Sequence, residues 1–168
     1  MNKLLRILKH RWLDERDAAR ALGPEGIQRI EAQVTERERR HVGEIRVCIE
    51  SGLPLSYLWR NASARERAVA MFGKLRVWDT EHNSGVLIYL LLAENRIEIV
   101  ADRGLNRHVS AGEWQLILDT MRAEFRAGQF EVGLNQAIDA VDALMLKHFA
   151  AADRSANPNE LPNKPVLR

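Results

Sequence analysis

The sequence predicts an α/β chain, a three-layer α/β/α sandwich in which helices cover both faces of a small mixed sheet. Three observations carry that prediction. Residues 44–50 alternate, with Ile45, Val47 and Ile49 on one side and Glu44, Arg46, Cys48 and Glu50 on the other, as a strand requires. Residues 86–92 and 96–101 are two further strand-like runs separated only by Ala93-Glu94-Asn95, a link short enough to force an antiparallel hairpin. A helical segment separates the first strand from the second, which favours a right-handed parallel crossover.

The elements follow in order. Residues 1–13 place Leu4, Leu5, Ile7, Leu8 and Trp12 among basic residues, the pattern of a short amphipathic helix. Such a helix either packs on its own domain or meets a membrane surface or partner. A second helix is expected from Pro24, a residue suited to a first helical turn, with Ile27, Ile30 and Val34 inward. The run Glu36 to Arg40 mixes both signs of charge and reads as a solvated helix face. After the first strand, a loop with Gly52 and Pro54 carries Tyr57 and Trp59; Trp59 is the expected partner contact. Ser63 with Glu66, and Ser110 with Glu113, are capping boxes that open the next two helices. Between them the run Val86 to Leu92 does not alternate, so it should be a central strand covered on both faces. Residues 96–101 alternate and belong nearer an edge. A last helix spans about 130–149, with Leu134, Ile138, Val141, Leu144 and Met145 inward. Residues 14–150 are thus one domain, and 151–168 lack core periodicity, hold three of the five prolines, and read as an extended tail. Trp78 and Trp114 are expected to pack where helices meet the sheet.

Bulk properties exclude several classes. The 168 residues carry a net charge of +2, which gives no footprint for nucleic acid. A single cysteine, Cys48, excludes an internal disulfide and a cysteine-rich zinc site. No apolar run approaches the ~20 residues that span a bilayer. Arg6, Lys9 and Arg11 interrupt the N-terminal apolar stretch, so it is not read as a signal peptide, and a cytoplasmic location is expected. Membrane contact is expected to be at most peripheral, through residues 1–13.

The hairpin and the crossover bring chemistry to one sheet edge. The loop before the second strand carries Asp79, Glu81, His82 and Asn83. Glu44 begins the first strand and Asp102 follows the third, so all lie at the same end. Glu44, Asp79, Glu81, Asn83 and Asp102 supply hard oxygen donors of the kind calcium or magnesium takes. The competing reading is an edge neutralised by nearby arginines. Cys48 lies inside a strand without an anion loop, and no paired-aspartate phosphotransfer motif is present. A catalytic nucleophile is therefore not identified, and hydrolytic chemistry would need a metal-activated water. Arg103 would then be placed to hold a phosphate oxygen.

The ordered set of segments resembles the TPM-domain family, named for a thylakoid-lumen phosphatase, a photosystem-repair protein and an ion-channel modulator. It is carried by HVGEIRVCIE (41–50), MFGKLRVWDTE (71–81), NSGVLIYLLLAENRIEIVADRGL (83–105) and FRAGQFEVGLNQAIDAV (125–141). The matching positions are Asn83, Gly85, Val86, Asn95, Arg96, Gly104, Leu105, Phe125, Gly128, Phe130 and Gly133, and the likeness covers about residues 14 to 148. The resemblance implies the α/β/α sandwich, divalent-cation binding with calcium or magnesium as cofactor, and in some relatives acid-phosphatase activity. The alternative it leaves is a non-enzymatic accessory domain for a membrane-associated complex, with an unknown protein partner. Asp17-Ala18-Ala19 stands where many relatives carry Asp-Asp-Ala, and the loop at 79–83 is more acidic than usual. Many relatives are exported or membrane-anchored; this sequence shows neither signal.

Overall fold

The computed structural model describes residues 3–150 and 159–168. Helix α1 spans Lys3–Trp12 and α2 spans Glu15–Glu38. Asp14 and Asp17 form a capping box at the start of α2, and the helix breaks at Gly23, where φ is +68°. Pro24 restarts it at a first-turn position, as expected; the turns before Gly23 were not anticipated. Strand β1 is Glu44–Glu50, and the loop expected to carry Tyr57 and Trp59 is instead a short helix, α3, Leu55–Trp59. Helix α4, Ala64–Lys74, leads to β2, Gly85–Leu91. A single 3-10 turn, Leu92–Glu94, joins β2 to β3, Arg96–Ala101, with Asn95 taking the left-handed conformation. One turn of helix, α5 (Arg103–Asn106), precedes α6 (Ala111–Arg126) and α7 (Phe130–Phe149), and β4 is Val166–Leu167. Both serine–glutamate capping boxes are formed.

The sheet order is β3-β2-β1-β4. β1 and β2 are parallel, with Glu44 beside Gly85, and β2 and β3 are antiparallel, with Val86 beside Ala101. The start of β1, the start of β2 and the end of β3 therefore share one end of the sheet. β2 is central and wholly buried, as its unbroken apolar run requires.

Alternation divides the core into two layers. Ile45, Val47, Ile49, Val86, Ile88, Leu90, Ile97 and Ile99 face α2, α6 and α7, meeting Ile30, Val34, Phe125, Leu134, Ile138 and Met145. Cys48, Leu87, Tyr89, Leu91 and Val100 face α3 and α4, meeting Leu58, Ala68 and Met71. Helices thus cover both faces of a mixed sheet, the three-layer arrangement expected. Each such aliphatic side chain contributes roughly 1.5–3 kcal/mol through burial. Among the described residues no helix is long and apolar enough to cross a membrane.

The polar side of β1 is buried as well, because each charge on it has a partner. Glu50 takes a two-pronged ion pair from Arg67 of α4 at 2.6 and 2.8 Å and a hydrogen bond from the Tyr89 hydroxyl at 2.6 Å. Arg46 donates to the backbone carbonyls of Pro162 and Lys164. The stretch 151–158 of the expected tail lies outside the described residues. The rest, 159–168, is docked along β1: β4 pairs parallel with Cys48 and Ile49, and Leu161 is buried. That strand was not anticipated. Trp78 also departs from expectation, since half of its surface is exposed, whereas Trp114 does pack against the core.

Candidate functional site

The end of the sheet that gathers the acidic residues is built by two close approaches of backbone to backbone. A Cβ on Gly85 would stand 1.9 Å from the Val77 carbonyl oxygen. One on Gly104 would stand 2.4 Å from the Asn83 carbonyl oxygen. Only glycine lets the loop 77–83 settle onto the start of β2 and of α5. The loop is then fixed from within. Asn83 takes φ +51° and its N–H reaches the Thr80 carbonyl, while the Thr80 hydroxyl accepts the Ser84 N–H at 3.0 Å. The Ser84 hydroxyl donates to the Val42 carbonyl at 3.1 Å, tying the loop to the entry of β1. Asp102 N–H donates to the Gly85 carbonyl at 2.8 Å, and Gly104 N–H to the Asn83 carbonyl at 3.0 Å.

These contacts leave an open recess of about 380 Å³ lined by Trp78, Asp79, Thr80, Asn83, Asp102 and Arg103. Arg103 Nε donates to Asn83 Oδ1 at 2.9 Å. Asp102 caps α5, with Oδ1 accepting the Arg103 N–H at 2.6 Å. Its other oxygen, Oδ2, is buried and has no hydrogen-bond partner among the described residues. A buried carboxylate oxygen left unsatisfied is costly, and native structures rarely leave one without a counterpart.

The five oxygen-donor residues read from the sequence divide here. Asp79, Asn83 and Asp102 line the same recess. Glu81 is exposed outside it, and its N–H donates to the Glu160 carboxylate. Glu44 is 1 % exposed and its carboxylate accepts the N–H groups of Glu160 and Leu161 at 3.3 and 3.2 Å. Glu44 therefore faces the docked C-terminal segment. Burial pushes its carboxyl up to about 7, against the lowering effect of those two N–H groups. Arg103 stands at the recess as read; Thr80 and Trp78 were not foreseen there. Thr80 directly follows Asp79, and its hydroxyl was the signal available in the sequence. Among the described residues no three His, Cys, Asp or Glu side chains converge as metal ligands would. The donor set of the recess is two carboxylates with an amide and a hydroxyl.

The single cysteine is unsuited to nucleophilic chemistry. Cys48 is buried in β1, and burial, then the Glu50 charge, push its thiol up to about 12. His82 is exposed, while His108 stacks on His148 with ring centroids 4.8 Å apart. Trp59 is exposed on α3, far along the chain from the recess.

Comparison with known proteins agrees with this architecture. The family model for the TPM domain matches residues 16–144. The chain is similar to the BA42 protein of the psychrophilic bacterium Bizionia argentinensis, solved by NMR, with 27% identity and a TM-score of 0.74 over 86% of this chain and 94% of that one. It also resembles the N-terminal domain of a P. gingivalis protein, solved in solution by NMR. There the identity is 18% and the TM-score 0.63, over 82% of this chain and 90% of that one, a likeness of fold alone. No curated protein matches.

Proposed function

We propose that this chain, which belongs to the TPM-domain family, binds a divalent cation, calcium or magnesium, in the recess formed by Asp79, Thr80, Asn83 and Asp102. The observation that carries the reading is Asp102 Oδ2, a buried carboxylate oxygen that has no partner among the described residues and belongs to a residue lining the recess. A hard cation is its natural counterpart, and every other donor lining the recess is also oxygen. Asp79 adds the second negative charge, and Asn83 Oδ1 retains a lone pair beyond the one given to Arg103. Glu81 and Glu44 drop out of the ligand set, because one lies outside the recess and the other is engaged by the C-terminal backbone.

Bound there, a divalent cation would supply charge to polarise a phosphate ester, which is the basis of phosphatase-like activity at this edge. Arg103 is the residue that would hold a phosphate oxygen. Among the described residues neither a cysteine nor a histidine lines the recess, and the Thr80 hydroxyl donates no hydrogen bond to a base there, so activity, if it accompanies binding, depends on the cation.

Backbone amide spectra recorded during titration with calcium, then magnesium, test the reading. Saturable shifts centred on residues 79–83 and 102–104, lost in Asp102→Asn, are expected. An absence of shifts at millimolar metal would sink it. Metal-dependent turnover of p-nitrophenyl phosphate by the same preparations, lost in Asp79→Asn, would extend binding to catalysis.

A further inference from the structure

Helix α1 is turned the opposite way from a helix that packs its apolar side on its own domain. Ile7 packs inward against the core, but the residues that hold the helix in place are polar. Arg6 donates to Glu94 at 2.8 Å, to Asn61 Oδ1 at 2.9 Å and to the Ala62 carbonyl at 2.7 Å. His10 is buried between Glu94, at 3.1 Å, and the Leu53 N–H, at 2.9 Å. The backbone of His10 lies so close to Gly52 that a Cβ there would meet its carbonyl oxygen at 2.6 Å. These contacts fix the rotation of the helix about its axis.

That rotation turns the apolar residues outward. Leu4, Leu8 and Trp12 follow one another at i, i+4 and i+8, with Leu5 beside them, and are 69%, 56%, 88% and 59% exposed. Helix α3 extends the patch with Leu55 and Trp59, 55% and 70% exposed, and Lys3 Nζ sits 5.1 Å from the Trp59 ring centre. Surface helices of soluble domains normally show water their polar side. Exposed patches that reverse this mark interaction surfaces.

Charge selects the occupant. The ten residues of α1 contain Lys3, Arg6, Lys9 and Arg11 and no acid, and Lys9 and Arg11 flank the apolar stripe on its exposed sides. A second copy docked about a two-fold axis would set the same cations against one another. An anionic bilayer satisfies both features: leucines and tryptophans enter the interface while lysine and arginine meet the headgroups. At 1.5 Å per residue the ten-residue helix is about 15 Å long, half the hydrocarbon thickness, so it would lie in the plane of the surface.

We infer that α1, with Leu55 and Trp59 of α3, forms a docking face for an anionic phospholipid bilayer. It lies at the end of the sheet opposite the recess, beside the exit of β1 and the 92–94 turn, so both sites are open at once. Co-sedimentation with vesicles of phosphatidylcholine containing phosphatidylglycerol tests it. Binding to those vesicles, and little to pure phosphatidylcholine, is the expected result. Lys9→Gln with Arg11→Gln should weaken it about 30-fold, at a contribution of about fivefold per cation near the surface. Leu8→Ser with Trp12→Ser should abolish it. Both variants alter exposed side chains, and an unchanged thermal melt shows that they fold. Failure to sediment with anionic vesicles, or undiminished sedimentation of both variants, would overturn the inference. So would a concentration-dependent dimer, seen by sedimentation velocity and abolished by the Leu8 and Trp12 changes, which would assign the face to a second copy.

Discussion

His10 Nε2 stands 3.1 Å from a carboxylate oxygen of Glu94, joining two residues 84 positions apart and fastening α1 to the turn between β2 and β3. The His10 hydrogen bond, followed by the hydrogen bond and charge of Arg6, draws the Glu94 carboxyl down to about 2 against the effect of its partial burial. A depressed carboxyl stabilises the folded chain above its unfolded value of 4.5, and that contribution fades as the pH falls from there towards 2. Glu94→Gln should therefore loosen α1 at neutral pH without touching the core. The Leu53 amide, which donates to His10, is expected to exchange with deuterium about tenfold faster or more, as losing a charge-assisted bond implies. The Ile88 amide should keep its protection. Equal Leu53 exchange in variant and parent would show that Glu94 does not hold the helix.

Arg67 and Glu50 form an ion pair in which both side chains are 4 % exposed. Neither charge has water to fall back on. Arg67→Ala leaves a buried carboxylate held, among the described residues, by the Tyr89 hydroxyl alone, at an expected cost of about 3–5 kcal/mol in urea unfolding. Replacing both, with Glu50→Leu and Arg67→Met, should recover much of that loss, because the desolvation of two ions is removed together. A double variant as unstable as the single one would mean that shape complementarity, and not charge, dominates here.

The sheet was legible because its signals are local. Ala93-Glu94-Asn95 is too short for anything but a hairpin, and the unbroken run 86–92 leaves both faces apolar, so order and direction followed. The recess was legible in part for the same reason: the hairpin alone brings Asn83 and Asp102 together. What escaped was anything held by backbone groups. Residues 159–168 dock through the N–H groups of Glu160 and Leu161 and the carbonyls of Pro162 and Lys164, which every sequence possesses. No side-chain periodicity could announce that contact, and it is the contact that draws Glu44 from the recess. The stripe on α1 was visible at helical spacing, but which side it turns to the domain depends on Glu94 and Leu53, remote in sequence. Trp78 shows the same limit, since a large apolar residue does not itself say whether its loop closes over it.

Gly85 opens β2 where the Val77 carbonyl oxygen would stand 1.9 Å from an added Cβ. The obstacle is backbone on a loop pinned by Thr80 and Ser84, so the clash cannot be relieved by rotating a side chain. Gly85→Ala is expected to cost about 1–3 kcal/mol or more, as overpacking does. It should also shift the amides of residues 77–83 and weaken cation binding at the recess. Gly73→Ala is the control: nothing lies within 4 Å of its Cβ position, and in the last turn of α4 the change should be neutral or stabilise by up to about 0.5 kcal/mol. If both substitutions proved neutral in chemical unfolding, the close approach at Val77 would not be a constraint on the fold.

Glu38 supplies the opposite pH response to Glu94. It is 6 % exposed, and its Oε1 accepts the Ile45 N–H at 2.6 Å at the entry of β1. Burial first, then the nearby Glu44 charge, push its carboxyl up to about 8, and burial pushes Glu44 up to about 7. A raised carboxyl keeps its proton in the folded chain at a pH where the unfolded chain has released it. Its contribution to stability is complete below about 4.5 and disappears as the pH rises through 8. With Glu94 weakening the fold on the acid side, the melting temperature should peak near pH 5 and fall by roughly 5 °C or more by pH 8.5. Glu38→Gln retains an acceptor for Ile45 and removes the charge, so it should flatten the alkaline decline while leaving the acid one. Glu44 ionises in the same range, and its burial, then the Glu160 charge, outweigh the two N–H groups that favour its charged form, so the rise in pH should release the 159–168 segment before the core opens, and amide exchange at Leu161 would report it. A melting temperature that is level from pH 5 to 8.5 in the parent chain would show that water reaches these two carboxyls in solution.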